Sequence, residues 1–483
     1  MITFLLSLLA LILGYVIYGS FIEKKFGADD SIKTPAIRLQ DGVDFIPMSG
    51  WRIFMIQFLN IAGLGPIFGA ILGAMYGPVA FLWIVFGCIF IGSVHDYFSG
   101  MLSVRNDGAS ISEVVGKYLG NNIRQFMRGF SVVLLILVGV VFVKGPAGLL
   151  GTLTGKSVTI WVYLVFAYYI VATLLPIDKL IGKIYPIFGA CLLFMAFGIG
   201  GYMIIKGAPI PNLTPDNLVN MQPNPVKTPI FPMLFITIAC GAISGFHSTQ
   251  SPLMARCITS ESQGKKIFFG SMIAEGIVAL VWAAAAMCFF GTINGPAGLN
   301  AQMAAHKGNA AWLVNLICNT WLGRAGGALA ILGVVACPIT SGDTAFRSAR
   351  LTVADFLHYD QKPMKNRLMV SIPMFVVGFV LTRIDFNIIW RYFGWANQTL
   401  GAIILWTAAM YMAKERKNHW LCTIPSVFMT AVCTSYILMA PEGFKLSASI
   451  GYPVGILTAL VLLGIFMRKI KNIDVSKDNS INA

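Results

Sequence analysis

Glu275 stands in an apolar run, with Ser-Met-Ile-Ala before it and Gly-Ile-Val-Ala-Leu after it. His95 and Asp96 adjoin toward the end of a second such run. His247, Ser248, Thr249 and Gln250 interrupt a third. Ionisable side chains are costly inside a bilayer and mark ion paths, proton relays or substrate sites there. Glu275 or Asp96, the latter beside His95, would carry a coupling proton. The plainer reading pairs each carboxylate with an Arg or a hydroxyl that holds helices together. An imidazole in water titrates near neutrality, so His247 would bind an anion or relay a proton. The plainer alternative bonds it to a backbone carbonyl.

Further polar groups lie in apolar surroundings. Thr340, Ser341 and Asp343 in Pro-Ile-Thr-Ser-Gly-Asp-Thr would suit a cation, or would cap a helix end near Arg347 and Arg350. Asn397 and Gln398 place two amides in one run, and buried amides need a substrate or a neighbouring helix as partner. Lys183 would be proton-sensitive, or would snorkel to the interface. The cysteines show no CxxC spacing and read as small core residues, without a disulfide or metal role. No HExxH, P-loop or GxSxG motif is present, so an enzyme has no sequence support. No cofactor is expected.

The elements that position these groups are membrane helices. Apolar residues make up 57% of the chain, charged residues 11%, and mean hydropathy is +0.76. Soluble domains carry about 25% charged residues. About 13 runs are long enough to span a bilayer. They cover 2–22, 52–75, 78–104, 126–150, 157–175, 182–205, 229–250, 264–290, 326–346, 367–382, 387–412, 420–439 and 450–468. The net charge of +15 is not a nucleic-acid signature. Roughly 26 of the 35 Lys and Arg fall in alternate loops, as the positive-inside rule requires. That pattern puts the N-terminus outside and the C-terminus in the cytoplasm.

Two of these spans are broken. Asn60-Ile61-Ala62-Gly63-Leu64-Gly65-Pro66 breaks one, and Gly241–Pro252 breaks the span five positions later. Lipid cannot satisfy the backbone groups such breaks free. Matched breaks in two halves of a chain point to a transporter's substrate site. The half-helix after Gly65-Pro66 would offer N–H groups to a carboxylate. Gly65, Gly69, Gly73 and Gly77 form a stripe that reads as helix packing. Amphipathic segments at 107–122 and 300–320 occupy matching places and read as surface helices. Lys144-Gly145-Pro146-Ala147-Gly148 and Asn294-Gly295-Pro296-Ala297-Gly298 both read as turns.

The expected fold is an all-α polytopic membrane protein with a 5+5 inverted repeat. Residues 1–25 form an N-terminal membrane helix, 26–50 a cytoplasmic loop and 51–206 the first repeat. Residues 207–228 form an extracytoplasmic linker and 229–413 the second, inverted repeat. Residues 414–470 add two helices, and 471–483 form a disordered cytoplasmic tail.

The broken-helix motifs, Val94-His95-Asp96-Tyr97-Phe98, Arg105–Ser110, the Glu275 segment, Gly342-Asp343-Thr344 and Phe393–Gln398 together resemble the carbon starvation protein A family. The match is collinear from about residue 52 to 412. The resemblance implies a bacterial inner-membrane uptake system for peptides or pyruvate, with a LeuT-like fold. It places Gly63, Gly65, His247, Ser248, Thr249, Thr340, Ser341, Asn397 and Gln398 near a central site, with Asn60 at the first break. The expected partners are a small-molecule substrate and the lipid bilayer, with no nucleic acid; no motif bears on oligomeric state. The expected function is symport of a small carboxylate-bearing nutrient with protons. Na⁺ is the alternative if Thr340, Ser341 and Asp343 form a cation site. The other classes are a membrane enzyme or a nutrient sensor built on His247, Glu275 and Asp96.

Overall fold

The structure is a computed structural model. It describes the chain except residues 43–44, 175–176, 358, 360–362 and 482–483, and except the side chains of 173–174, 177–187, 355 and 473–481. The described residues form helices and loops, without a strand.

A peripheral helix, Ile2–Phe26, opens the chain. The first core span is the bent pair Gly50–Ile61 and Gly65–Ala74, which meet at 56°. The second is Val79–Val104, the third Asn121–Thr154, the fourth Val158–Leu174 and the fifth Ile177–Ile205. The sixth is broken into a short piece, Ile230–Leu234 with Phe235–Thr237, and a helix Gly245–Ala255. The seventh is Lys265–Phe289, the ninth Met364–Leu381 and the tenth Phe386–Lys414. The eighth belongs to Ala310–Leu357, which turns at Gly323. Gly323 has φ 67°, a left-handed conformation natural to glycine, and it lets the stretch before it enter the span at an angle. Trp420–Met439 and Ala448–Ile481 follow.

The seventh span is the axis of the core. Its apolar window is 83% buried, against 22% for the N-terminal helix and 22% for the last helix. Small residues explain this. Gly276 packs on Cys88, and Ala283, Ala284, Ala285 and Ala286 are all buried. In lipid, close backbone approach of this kind replaces the hydrophobic effect as the glue between helices. The peripheral helices instead expose leucines and isoleucines, such as Leu5, Leu9, Ile456 and Leu457, as a lipid-facing surface requires.

Among the described residues nine helices are long and apolar enough to cross a membrane, and ten with the bent pair. The sequence count of 13 is higher because it includes three helical regions that fall short of that test. The fourth span is short, the sixth is broken, and the tenth carries polar side chains along its length. The 107–122 segment contains a helix, Ile111–Leu119, and the 300–320 segment contains Leu299–Ala305 and the start of Ala310–Leu357. One expected turn is not a turn. Lys144–Gly148 lies inside the third span, where Pro146 is accommodated within a 34-residue helix. Pro costs a helix one N–H and some crowding, and a packed helix of that length absorbs both. Asn294–Gly298 is a loop, as expected.

Candidate functional site

The two breaks touch. A Cβ placed on Gly65 would strike Cys240, and one on Gly69 would lie 2.9 Å from the Thr237 carbonyl. A Cβ on Gly73 would meet the Ile238 side chain. The glycine stripe after the first break is thus the surface on which the second broken span rests. Only hydrogen at these three positions permits that approach.

The second break is shorter and earlier than Gly241–Pro252. It occupies 238–244, and helix resumes at Gly245 and carries Pro252 inside it. The polar run does not unwind the chain because its hydroxyls bond back onto the helix. Ser248 Oγ donates to the Gly245 carbonyl at 2.6 Å, Thr249 Oγ1 to Phe246 at 2.7 Å and Ser251 Oγ to His247 at 3.0 Å. Ser248 and Thr249 therefore spend their protons within the helix.

The freed backbone groups are met by other spans. At the second break, Asn397 Oδ1 accepts the Phe246 N–H at 2.6 Å, and Asn397 Nδ2 donates to Ser244 Oγ at 3.0 Å and Cys240 Sγ at 3.3 Å. Trp83 Nε1 donates to the Ile238 carbonyl at 2.9 Å. Gln398 Nε2 reaches the Phe235 carbonyl at 3.2 Å, and its Oε1 has no partner. At the first break, Cys337 Sγ donates to the Ala62 carbonyl at 2.6 Å, and Ser341 Oγ to Leu59 at 3.1 Å. Thr340 Oγ1 bonds the Cys337 carbonyl at 2.7 Å. Gly63 abuts the tip of the Phe142 ring. Asn60 and Gln57, three residues apart and so on one helical face, are buried. Asn60 Oδ1 and both polar atoms of Gln57 have no partner.

Beside the breaks lies a chain of ionisable groups. His95 Nδ1 is 2.7 Å from Asp96 Oδ1, and His247 Nδ1 is 2.8 Å from Asp96 Oδ2. His247 Nε2 is 3.2 Å from Glu275 Oε2. All four side chains are 0% exposed. The last contact has ion-pair distance but not in-line hydrogen-bond geometry, and neither atom has another partner. Proton-transfer contacts are often this loose in unliganded sites. An ionised Asp96 accepts from Nδ1–H of both rings, which leaves each Nε2 as the variable position. Nε2 of His247 then faces the Glu275 carboxyl, where either group can carry a proton. Ser99 Oγ, 3.2 Å from Ser251 Oγ and donating to the Asp96 carbonyl, ties the second and sixth spans at this level.

The structure thus brings His95, Asp96, His247 and Glu275 into one row from the second, sixth and seventh spans. Asn60, Gly63, Gly65, Asn397 and Gln398 sit at or beside the two breaks. Asp343 instead faces Arg347 at 3.6 Å, one turn along its own helix. The Lys183 side chain lies outside the described residues. Among the described residues no three His, Cys, Asp or Glu side chains converge as metal ligands. Sequence reading passed over Trp83, Ser99, Ser251, Gln57 and the thiol of Cys337. Only Gln57 carried a signal, an amide one turn from Asn60 in an apolar run.

An ion pair just past the end of the second span joins several elements. Arg105 Nε and Nη2 reach the two oxygens of Glu261 at 2.9 and 2.8 Å, and Nη1 reaches Tyr411 Oη at 2.7 Å. Its guanidinium also lies 4.3 Å above the Phe26 ring and donates to the Gly27 carbonyl at 2.6 Å. Burial alone would lower the Arg105 pKa, but the Glu261 carboxylate holds it above its ordinary value.

Among the described residues, helices without strands, two broken spans in contact and a buried row of titratable groups fit the class of membrane transport proteins. A solved structure of Mhp1, a nucleobase-cation-symport-1 family transporter closed around bromovinylhydantoin, matches 89% of this chain and 95% of its own at TM-score 0.51 and 14% identity. The fold is LeuT-like. The family model described as carbon starvation protein CstA matches residues 1–147, 132–320 and 301–436, and the chain belongs to that family. A Haemophilus influenzae membrane protein is 47% identical over 60% of this chain and 91% of its own length. The Bacillus subtilis peptide transporter CstA is 26% identical over 88% of this chain and 87% of its own. The Escherichia coli pyruvate/proton symporter BtsT is 25% identical over 60% of this chain and 50% of its own. The chain is a multi-pass bacterial membrane transporter and not an enzyme.

Proposed function

We propose that this transporter imports small carboxylate-bearing nutrients, short peptides or pyruvate-like acids, across the bacterial inner membrane by proton symport during carbon limitation. The N-terminus lies outside and the C-terminus inside, with the 207–228 linker outside. The observation that carries the reading is the buried row His95–Asp96–His247–Glu275 beside the two touching breaks. A carboxylate buried without donors is costly unless a proton or cation joins it, so its loading is naturally tied to a second event beside it. The two five-span units are read as inverted copies, and rocking of one helical bundle against the other exposes the breaks to each side in turn.

Protons are favoured over Na⁺ by the state of the alternative cation site. Asp343 faces Arg347, while the Thr340 and Ser341 hydroxyls donate to carbonyls. The names of two relatives support the cargo class: one is a peptide transporter and the other a pyruvate/proton symporter. The test is uptake of labelled pyruvate and of dialanine into proteoliposomes under imposed proton or sodium gradients. Accumulation of either substrate under the proton gradient is expected. Accumulation under neither gradient overturns the reading, and binding without accumulation identifies a sensor.

A further inference from the structure

A cavity of about 230 Å³, mostly apolar but with several polar groups in its wall, lies on the face that carries the 207–228 linker. Its walls include Tyr76 beyond the first broken span, Thr237 at the edge of the second break, Gln222 and Thr228 of the linker, and Trp390 and Arg391 of the tenth span. The cavity therefore borders both broken spans. Its one cationic lining group, Arg391, is 40% exposed.

The guanidinium is held in place. Arg391 Nε donates to Glu442 Oε2 at 3.0 Å, and Tyr436 Oη donates to the other Glu442 oxygen. Tyr392 Oη fixes the Glu442 backbone through its carbonyl at 2.7 Å. Both carboxylate oxygens are thus engaged, and the side chain of Glu442 is 3% exposed. The two Nη nitrogens of Arg391 have no partner among the described residues. A guanidinium held at Nε keeps its Nη fork free, and that fork matches a carboxylate with two parallel hydrogen bonds. The volume lies below the range of about 300–1,000 Å³ typical of drug-sized ligands. It suits a keto acid or a dipeptide better than a longer peptide.

We infer that this cavity is a separate receiving site for the substrate carboxylate, held by the Arg391 fork before the breaks admit it. The inference deepens the carboxylate-transport reading and rests on it. It assigns Arg391 to substrate capture and Glu442 to positioning. It also limits the cargo to small acids.

The test uses the full-length protein and a reporter thiol at Gln222→Cys. All nine native cysteines are buried, so a polar maleimide reports on the new thiol. Pyruvate and dialanine are expected to slow labelling, whereas pyruvamide is not. Arg391→Gln should weaken that protection about tenfold or more, the usual cost of losing a charge-assisted hydrogen-bond pair. Arg391→Lys keeps a cation for Glu442 but loses the fork, so it should fall between the two and serves if the glutamine variant does not fold. Equal protection in all three forms, protection by pyruvamide, or no protection by either acid overturns the inference. Protection needs no transport, so a failure of uptake alone removes the symport reading and leaves this result to stand by itself.

Discussion

The two breaks solve one problem in different ways. In each, a helix ends inside the membrane and leaves backbone groups to be satisfied. The first break is held by donors from the eighth span, Cys337 and Ser341, which bond its Ala62 and Leu59 carbonyls. The second is held mainly from the tenth span, by Asn397, which accepts one backbone N–H and donates to two side chains, with Gln398 on the Phe235 carbonyl and Trp83 of the second span on the Ile238 carbonyl. The first is followed by a glycine stripe and carries no ionisable group. The second is followed within three residues by His247, which meets Asp96 and Glu275. The first break is therefore a packing surface and the second the chemical half of the site.

That contrast sets the size of three effects. Asp96→Asn should be the most damaging, because an amide cannot accept from both Nδ1–H groups without turning its own N–H₂ toward one ring. Proton-linked uptake should fall by about 10²-fold or more, since a wrong imidazole tautomer is costly wherever the ring handles protons. Normal coupled uptake in this variant would reduce the row to a structural feature. Asn397→Ala comes next. It strands the Phe246 N–H and should destabilise the protein by about 1–3 kcal/mol, read as a lower thermal midpoint in detergent. Asn397→Asp keeps the acceptor and should recover part of the loss. Ser341→Ala should be the mildest, near 0.5–1.5 kcal/mol, because Cys337 Sγ also approaches the Leu59 carbonyl at 3.3 Å. A larger loss from Ser341→Ala than from Asn397→Ala would reverse the comparison.

Much of the architecture was legible in the chain. Gly and Pro punctuation located the first break, because few residue types tolerate such a kink. Buried ionisable residues stood out because lipid makes them rare. The limits of the second break were not legible. Ser248, Thr249 and Ser251 look like breakers, yet a hydroxyl can bond the carbonyl a turn before it and leave the helix intact. Pro146 misled for a similar reason, since helix packing outweighs the local penalty. Trp83 and Cys337 were invisible as partners, because the carbonyls they meet belong to other spans. That Asp96 and Glu275 share one imidazole follows from how the second, sixth and seventh spans pack, and no local pattern encodes it.

The most direct measurement follows protons rather than substrate. Proteoliposomes with an internal pH dye and no imposed gradient are given pyruvate or dialanine, using wild type and Glu275→Gln. The wild type should acidify the lumen as substrate enters. The variant should still exchange labelled for unlabelled substrate while moving no protons. Equal substrate-driven acidification by both proteins would contradict the role of Glu275 as the end of the proton row.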